Sequence, residues 1–275
     1  MLSNTQLNFF AKFIEKELGI IYSEQVYYQL QQRIEKVVEY LGLRSPEELY
    51  VSAIEKGITG DFKAFLLDIA TNNETSFFRD SSIFRAIEEY VLPDLRVQYK
   101  DAFTYRVWSA ASSFGQEPYS VAMLVHEMRQ NDPTYPRVEI RASDISDQAL
   151  KRSRSARYTQ LEIQRGLQAA RLVKYFRKTE DSSWQLNSEI SSMVDFTKKN
   201  LLDNFSDMGK FHVILCRYVL IYQDAAKKKD IFTRLVQCLH PRGFLIMGGS
   251  ESAIGLSHEM EQVEHKGAVF YRRKT

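Results

Sequence analysis

The chain is poor in cysteine, proline and glycine, with two, six and twelve of them among 275 residues. Two cysteines, Cys216 and Cys238, cannot build a disulfide framework. Both sit in apolar strand-like or helical patterns and read as buried thiols of a reducing cytosol. No apolar run reaches the roughly 18 residues of a membrane span, so no insertion into a membrane is expected. The opening Met1-Leu-Ser-Asn-Thr-Gln6 lacks the basic-then-apolar layout of a secretory signal, and a cytoplasmic location is expected. Five histidines (His126, His212, His240, His258, His265) show no metal-ligand spacing with cysteines or acids, so no metal is expected. The sequence contains no G-x-G-x-x-G, no P-loop and no G-x-S-x-G elbow. These absences argue against a standard dinucleotide fingerprint, nucleotide triphosphate hydrolysis and serine-hydrolase chemistry. No repeat or low-complexity tract is visible.

What is present is an ordinary globular composition, 44% hydrophobic and 26% charged, with a net charge of +2. The charge is unevenly spread. Residues 1–75 hold 7 basic against 11 acidic side chains, a net of −4; residues 76–275 hold 30 against 24, a net of +6. Residues 150–178 alone carry nine basic side chains and one acid, Glu162. That stretch reads either as a solvated helix face or as a docking surface for an acidic partner. No nucleic-acid-binding motif accompanies it, so nucleic acid is not an expected partner.

The first 75 residues read as helices only. Val26, Leu30, Ile34, Val37, Val38 and Leu41 recur at helical spacing, with Gly42 at the C-terminal cap position. Ser45-Pro46-Glu47-Glu48 has the form of a capping box. Phe62, Phe65, Leu66 and Ile69 form another stripe, and both stripes are expected in a core. From about residue 104 strands and helices alternate: strands at 106–111, 137–143, 211–216, 244–247 and 268–272, and helices at 117–129, from 146 and at 224–239. A turn is expected at His240-Pro241-Arg242-Gly243. This alternation predicts a parallel sheet with helices on both faces. Residues 179–197 look like a small insertion, with strand candidates at 184–186 and 193–196.

The most informative segment is Val107-Trp-Ser-Ala-Ala-Ser-Ser-Phe-Gly-Gln-Glu-Pro-Tyr-Ser120. An apolar strand meets five small residues, then a glycine, then the start of a helix. Small side chains let backbone N–H groups approach a ligand. Without an extended phosphate fingerprint, the turn suits a nucleoside-type ligand, with S-adenosylmethionine the first candidate. Open parallel sheets bind ligands beyond the carboxyl ends of their strands. Asp144 closes the second strand there and can accept from ribose hydroxyls or cap the following helix.

Two further segments join this turn: Thr71-Asn-Asn-Glu-Thr-Ser-Phe-Phe-Arg-Asp80 and Cys216-Arg-Tyr-Val-Leu-Ile-Tyr-Gln-Asp224. With Ala142-Ser-Asp-Ile-Ser146, Asn200-Leu201 and Gly248-Gly-Ser-Glu-Ser252, the chain resembles the chemotaxis receptor glutamate O-methyltransferases of the CheR family over almost its whole length. The resemblance implies a Rossmann-like class I methyltransferase α/β fold over residues 76–275, preceded by a helical domain at 1–75. It also implies a small antiparallel β-subdomain near 179–197. It implies methyl transfer from S-adenosylmethionine to glutamate side chains on the cytoplasmic helical bundle of chemoreceptors, leaving S-adenosylhomocysteine. The cofactor residues it implies are Asn73, Thr75, Arg79, Glu117, Asp144, Asn200, Leu201, Arg217 and Tyr218; Arg79 and Tyr222 would face the substrate glutamate. A monomer is expected.

Each role has a plainer alternative. Arg79 can pair with a local acid, Tyr222 can be a rim aromatic, and Glu117 can simply suit the first turn of its helix. The chain also departs from the family pattern. Tyr218 stands where Asn is usual, Gly249 where His is common, Phe114 where Thr is common, and Ala111 where Gly is frequent, a mild change if the local φ is negative. The short loop Thr179–Ser183 favours direct docking on receptor helices over gripping a receptor peptide. Tyr218 keeps two other readings open: a cofactor-binding regulatory or partner-binding module, and a methyltransferase for another substrate.

Overall fold

A computed structural model describes all residues, 1–275. Four helices come first: α1 Asn4–Leu18, α2 Tyr27–Tyr40, α3 Pro46–Lys56 and α4 Gly60–Ala70. Their apolar stripes meet in a core of their own, with Phe10, Ile14, Leu30, Ile34, Val37 and Leu66 buried. Of the stripe at 62–69, only Leu66 is fully buried; Phe62, Phe65 and Ile69 pack at the edge. The expected capping box is one-sided. Ser45 Oγ accepts from Glu48 N, but Glu48 Oε2 takes Arg44 N rather than Ser45 N.

Helices α5 Ser81–Ala86 and α6 Leu92–Gln98, joined through a π-helical turn at Ile87–Val91, lead into the sheet. There follow β1 Thr104–Ala110, α7 Gln116–Asn131, β2 Arg137–Asp144 and α8 Asp147–Ser155. Next are β3 Arg157–Tyr158, α9 Gln160–Gln164, α10 Ala169–Tyr175, β4 Phe176–Lys178, β5 Trp184–Leu186, α11 Ser188–Ser191 and β6 Val194–Lys198. The chain closes with β7 Phe211–Cys216, α12 Ala225–Gln237, β8 Leu239–Ile246, β9 Met260–His265 and β10 Ala268–Arg273.

Seven strands form the main sheet in the order β6-β2-β1-β7-β8-β10-β9. The first five are mutually parallel; β10 is antiparallel to β8, and β9 is antiparallel to β10. Strand order reverses between β1 and β7, so a crevice opens at the carboxyl ends of β1, β2 and β7. No helix is long and apolar enough to cross a membrane.

Three details differ from the sequence expectation. The segment at 193–196 does not belong to the insertion: Val194–Lys198 pairs in parallel with β2 at the edge of the large sheet. The small sheet is β3-β5-β4 and draws two of its strands from the basic stretch before residue 179. The expected turn at 240–243 is a bulge inside β8, where Phe211 faces Leu239 and Val213 already faces Phe244.

Candidate functional site

The small-residue turn is tied to the end of β2. Ser112 N donates to Ser143 O (2.9 Å) and Ser113 N donates to Asp144 Oδ2 (2.8 Å). Asp144 Oδ1 accepts from Ser146 N (3.0 Å), while Ser146 itself caps α8 by accepting from Ala149 N. Asp144 is therefore the buckle between two loops rather than the helix cap, and burial pushes its carboxyl above the usual carboxylate range. Gly115 begins α7 at φ +88°, where a β-carbon would come within 2.9 Å of Ser153 Cβ. Ala111 lies at φ +60°, so the condition for a mild glycine replacement is not met. Phe78, Asp80, Ser113 and Tyr218 are also left-handed. Such strain costs about 1–2 kcal/mol per residue and concentrates at functional sites.

The turn forms one wall of a cavity at the carboxyl ends of the strands, the usual place for a ligand in an open parallel sheet. Every site residue named above lines it: Asn73, Thr75, Arg79, Glu117, Asp144, Asn200, Leu201, Arg217, Tyr218 and Tyr222. The facing wall is the segment 71–80, pinned by its two phenylalanines. Phe77 packs edge-on against Tyr158 (4.9 Å) and Phe176 (5.5 Å) of the small sheet. Phe78 N donates to Ser120 Oγ on α7 (3.0 Å). These anchors leave Arg79 over the cavity with no carboxylate partner. Its Nη1 donates to Glu74 O (2.8 Å), and its guanidinium lies 3.8 Å from the Tyr218 ring centroid. Tyr222 Oη accepts from Asn72 Nδ2 (2.8 Å), which leaves its own proton free to donate.

Arg217 joins the two walls from below, with its side chain only 2% exposed. Nη1 donates to Glu117 Oε2 (2.8 Å), and Nη2 donates to Asp80 Oδ2 (2.8 Å) and Arg79 O (2.7 Å). Burial alone would lower the pKa of this guanidinium, but Glu117 and Asp80 outweigh it and raise it. Burial likewise pushes the Asp80 carboxyl up, yet the Tyr218 hydroxyl and Arg217 hold it below its ordinary value. Glu117 also accepts from Ser109 Oγ (2.7 Å). The carboxylate is thus more than a favourable first-turn acid, and part of its charge is already paired.

The matched family model is described as CheR methyltransferase, SAM binding domain, and covers residues 73–269. The chain belongs to the CheR methyltransferase family. Its curated relatives include chemotaxis protein methyltransferase Cher2 of Pseudomonas putida, 35% identical over 99% of this chain and 100% of that protein. Chemotaxis protein methyltransferase 1 of Pseudomonas aeruginosa is 35% identical over 99% of each chain. The chemotaxis protein methyltransferase of Escherichia coli is 30% identical over 98% of this chain and 91% of its own. The CheR-family chain described here is accordingly an S-adenosylmethionine-dependent methyltransferase, built on the Rossmann-like α/β fold expected from its sequence. The cavity suits that cofactor on its own evidence: Ser112 lines it, and its buried Oγ has no protein partner.

Sequence reasoning missed several residues here. Leu18 and Ile20 close the cavity from the end of α1, and Asn200 Nδ2 donates to Glu17 O (2.7 Å), so the helical region forms part of the wall. Asp80, the last residue of the 71–80 motif, accepts from Arg217 Nη2 and the Tyr218 hydroxyl, contacts that sequence spacing does not reveal. Glu251 is buried and holds Tyr218 N (2.6 Å), Gly248 N (2.9 Å) and Leu220 N (3.1 Å). The lone acid of Gly248-Gly-Ser-Glu-Ser252, following an apolar strand, was the available signal.

Four of the nine basic side chains of the stretch 150–178 meet acids within the molecule. Arg152, Arg157, Arg165 and Arg171 meet Glu162, Asp181, Glu74 and Glu127. Arg154 donates to Phe196 O and Lys174 to Gln130 Oε1. Lys151, Arg177 and Lys178 form no ion pair or side-chain hydrogen bond, so with Arg154 and Lys174 five positive charges of the stretch have no acid partner.

Proposed function

We propose that this enzyme methylates glutamate side chains on the cytoplasmic helical bundle of chemoreceptors. The observation that carries the proposal is Arg79, a guanidinium over the cofactor cavity with no acid of its own. A glutamate carboxylate is already ionised at pH 7 and needs no general base. S-adenosylmethionine, when bound, supplies a methyl group on a sulfonium as the electrophile. The protein's task is to bring the carboxylate oxygen into line and exclude competing geometries. Arg79 would hold the carboxylate by parallel N–H···O bonds, and the free Tyr222 hydroxyl would donate a further one. Glu117 would accept from the cofactor's ammonium group, and Asp144 and the Ser112–Ser113 turn would take the ribose side. Asn73 and Thr75 from the facing segment, with Asn200 and Leu201, would complete the cofactor's surroundings, and Arg217 would support them.

The same reading divides the chain at about residue 75 into a helical domain and a methyltransferase domain, supported by separate apolar cores on either side. It also has the protein act as a cytoplasmic monomer, which sedimentation of the purified chain checks. The enzymatic test is transfer of labelled methyl from S-adenosylmethionine to a receptor cytoplasmic fragment. Arg79→Met should lower kcat/KM for the receptor roughly 10²-fold while S-adenosylhomocysteine still binds. Equal rates in both proteins would remove Arg79 from the substrate site.

A further inference from the structure

We propose that Tyr218 is not a cofactor contact but the positioning residue that presents Arg79 to the substrate carboxylate, a role that rests on the reading of Arg79 given above. The guanidinium of Arg79 lies 3.8 Å from the Tyr218 ring centroid, close enough for strong cation–π attraction. The contact with the ring uses the π-face of the tyrosine and consumes no N–H group, so those beyond the one given to Glu74 O stay available to a carboxylate.

The ring is held on every side. A β-carbon at Gly248 would come within 2.9 Å of ring atoms Cδ1 and Cε1, so only glycine leaves the slot open. The hydroxyl donates to Asp80 Oδ2 and accepts from Gly249 N (3.3 Å). Asp80 is fixed in turn by Arg217 Nη2 (2.8 Å). The backbone of Tyr218 stands at φ +58°, a conformation that a bulky side chain rarely adopts. Glu251, accepting from Tyr218 N at 2.6 Å, keeps it there. Strain of this kind persists where the surroundings over-determine it and the side chain has work to do. Here the aromatic face under Arg79 is what the strained backbone delivers.

The arrangement also tempers the clamp. Part of the cation's field falls on the ring, so a bound carboxylate is oriented without being paired so tightly that its oxygen loses nucleophilicity.

The test is a double-mutant cycle on the full-length protein, with native, Tyr218→Leu, Arg79→Met and the double variant. It reads kcat/KM for a receptor cytoplasmic fragment and, by calorimetry, affinity for S-adenosylhomocysteine. Tyr218→Leu should lower kcat/KM roughly 2- to 30-fold, leave S-adenosylhomocysteine affinity unchanged, and add nothing to Arg79→Met. Tyr218→Phe, which keeps the ring face, should recover a large part of the loss. The proposal is overturned if the two losses multiply, or if Tyr218→Leu weakens S-adenosylhomocysteine binding and spares the receptor term. If Arg79→Met alone changes nothing, the reading of Arg79 falls first and takes this one with it. Should Tyr218→Leu not fold, Gly248→Ala, which crowds the same ring, carries the same expectations.

Discussion

The two walls of the cavity are built differently. The cofactor wall is local: Ser109 bonds Glu117, and the turn before Gly115 is buckled to the neighbouring strand end by Asp144. Its polar groups are mostly satisfied within it. The substrate wall is assembled from afar. Asn72 and Tyr222 meet across 150 positions, and Arg79 rests on Tyr218, which reaches Asp80 across 138. The Tyr222 hydroxyl proton and the N–H groups of Arg79 beyond the one given to Glu74 O are left free. One wall is a rigid receptacle whose bonds stabilise the fold; the other holds unspent hydrogen-bonding capacity for a second molecule.

Arg217 is where the two walls meet, and its removal should have the largest effect. Arg217→Met leaves Glu117 and Asp80 as partly buried carboxylates without their cation. A loss of about 3–5 kcal/mol in unfolding free energy is expected, read by urea denaturation. A variant as stable as the native chain would dissolve the distinction between wall and node. Arg79→Met should show the opposite profile: the roughly 10²-fold loss of kcat/KM given above, with the denaturation midpoint unmoved.

Acid sharpens the comparison from the far rim of the sheet. His212 is buried there and accepts from Arg106 N at 3.0 Å. Burial and the neighbouring His240 bring its pKa down from 6.5 to about 4. The unfolded chain takes up this proton at a higher pH than the folded one. Stability is therefore full above the unfolded value and is lost as pH falls from 6.5 towards about 4. A decline on the order of 2 kcal/mol is expected, flattened in His212→Gln, with S-adenosylhomocysteine affinity of the folded protein unchanged at pH 5.5–6.5. A parallel fall in that affinity would couple the far rim to the site. The smallest expected effect is Ala111→Gly, which relieves a left-handed residue in the cofactor wall. It should stabilise by about 0.5–1 kcal/mol and leave turnover within twofold, as thermal melts and initial rates would show.

The same contrast governs what the sequence revealed. The turn at Ser109–Gly115, the strand ends at Asp144 and Cys216 and the helical stripes of residues 1–75 are local patterns, and they were legible. The placement of β6 was not, because its partner β2 lies some fifty residues upstream and nothing in Met193–Phe196 distinguishes a sheet edge from an insertion. Strands β3 and β4 are two and three residues long inside a run of basic side chains, too short to carry a period. Strand β9 is exposed and polar at the sheet edge, where an apolar alternation is not required. At the site, motif resemblance supplied residues that the fold gathers around one cavity. Their geometry came from the fold: that Asp144 is a buckle, that Arg217 is buried between two acids, and that Tyr218 lies under Arg79.

The central claim is that a free guanidinium beside a cofactor cavity receives a glutamate from another protein. Its most direct test is mass-spectrometric mapping of a receptor cytoplasmic fragment after incubation with the enzyme and S-adenosylmethionine. The account predicts base-labile methyl esters on glutamate side chains, abolished or greatly reduced with Arg79→Met. A protein that binds the cofactor yet leaves every receptor glutamate unmodified, or that labels equally well without Arg79, would contradict it.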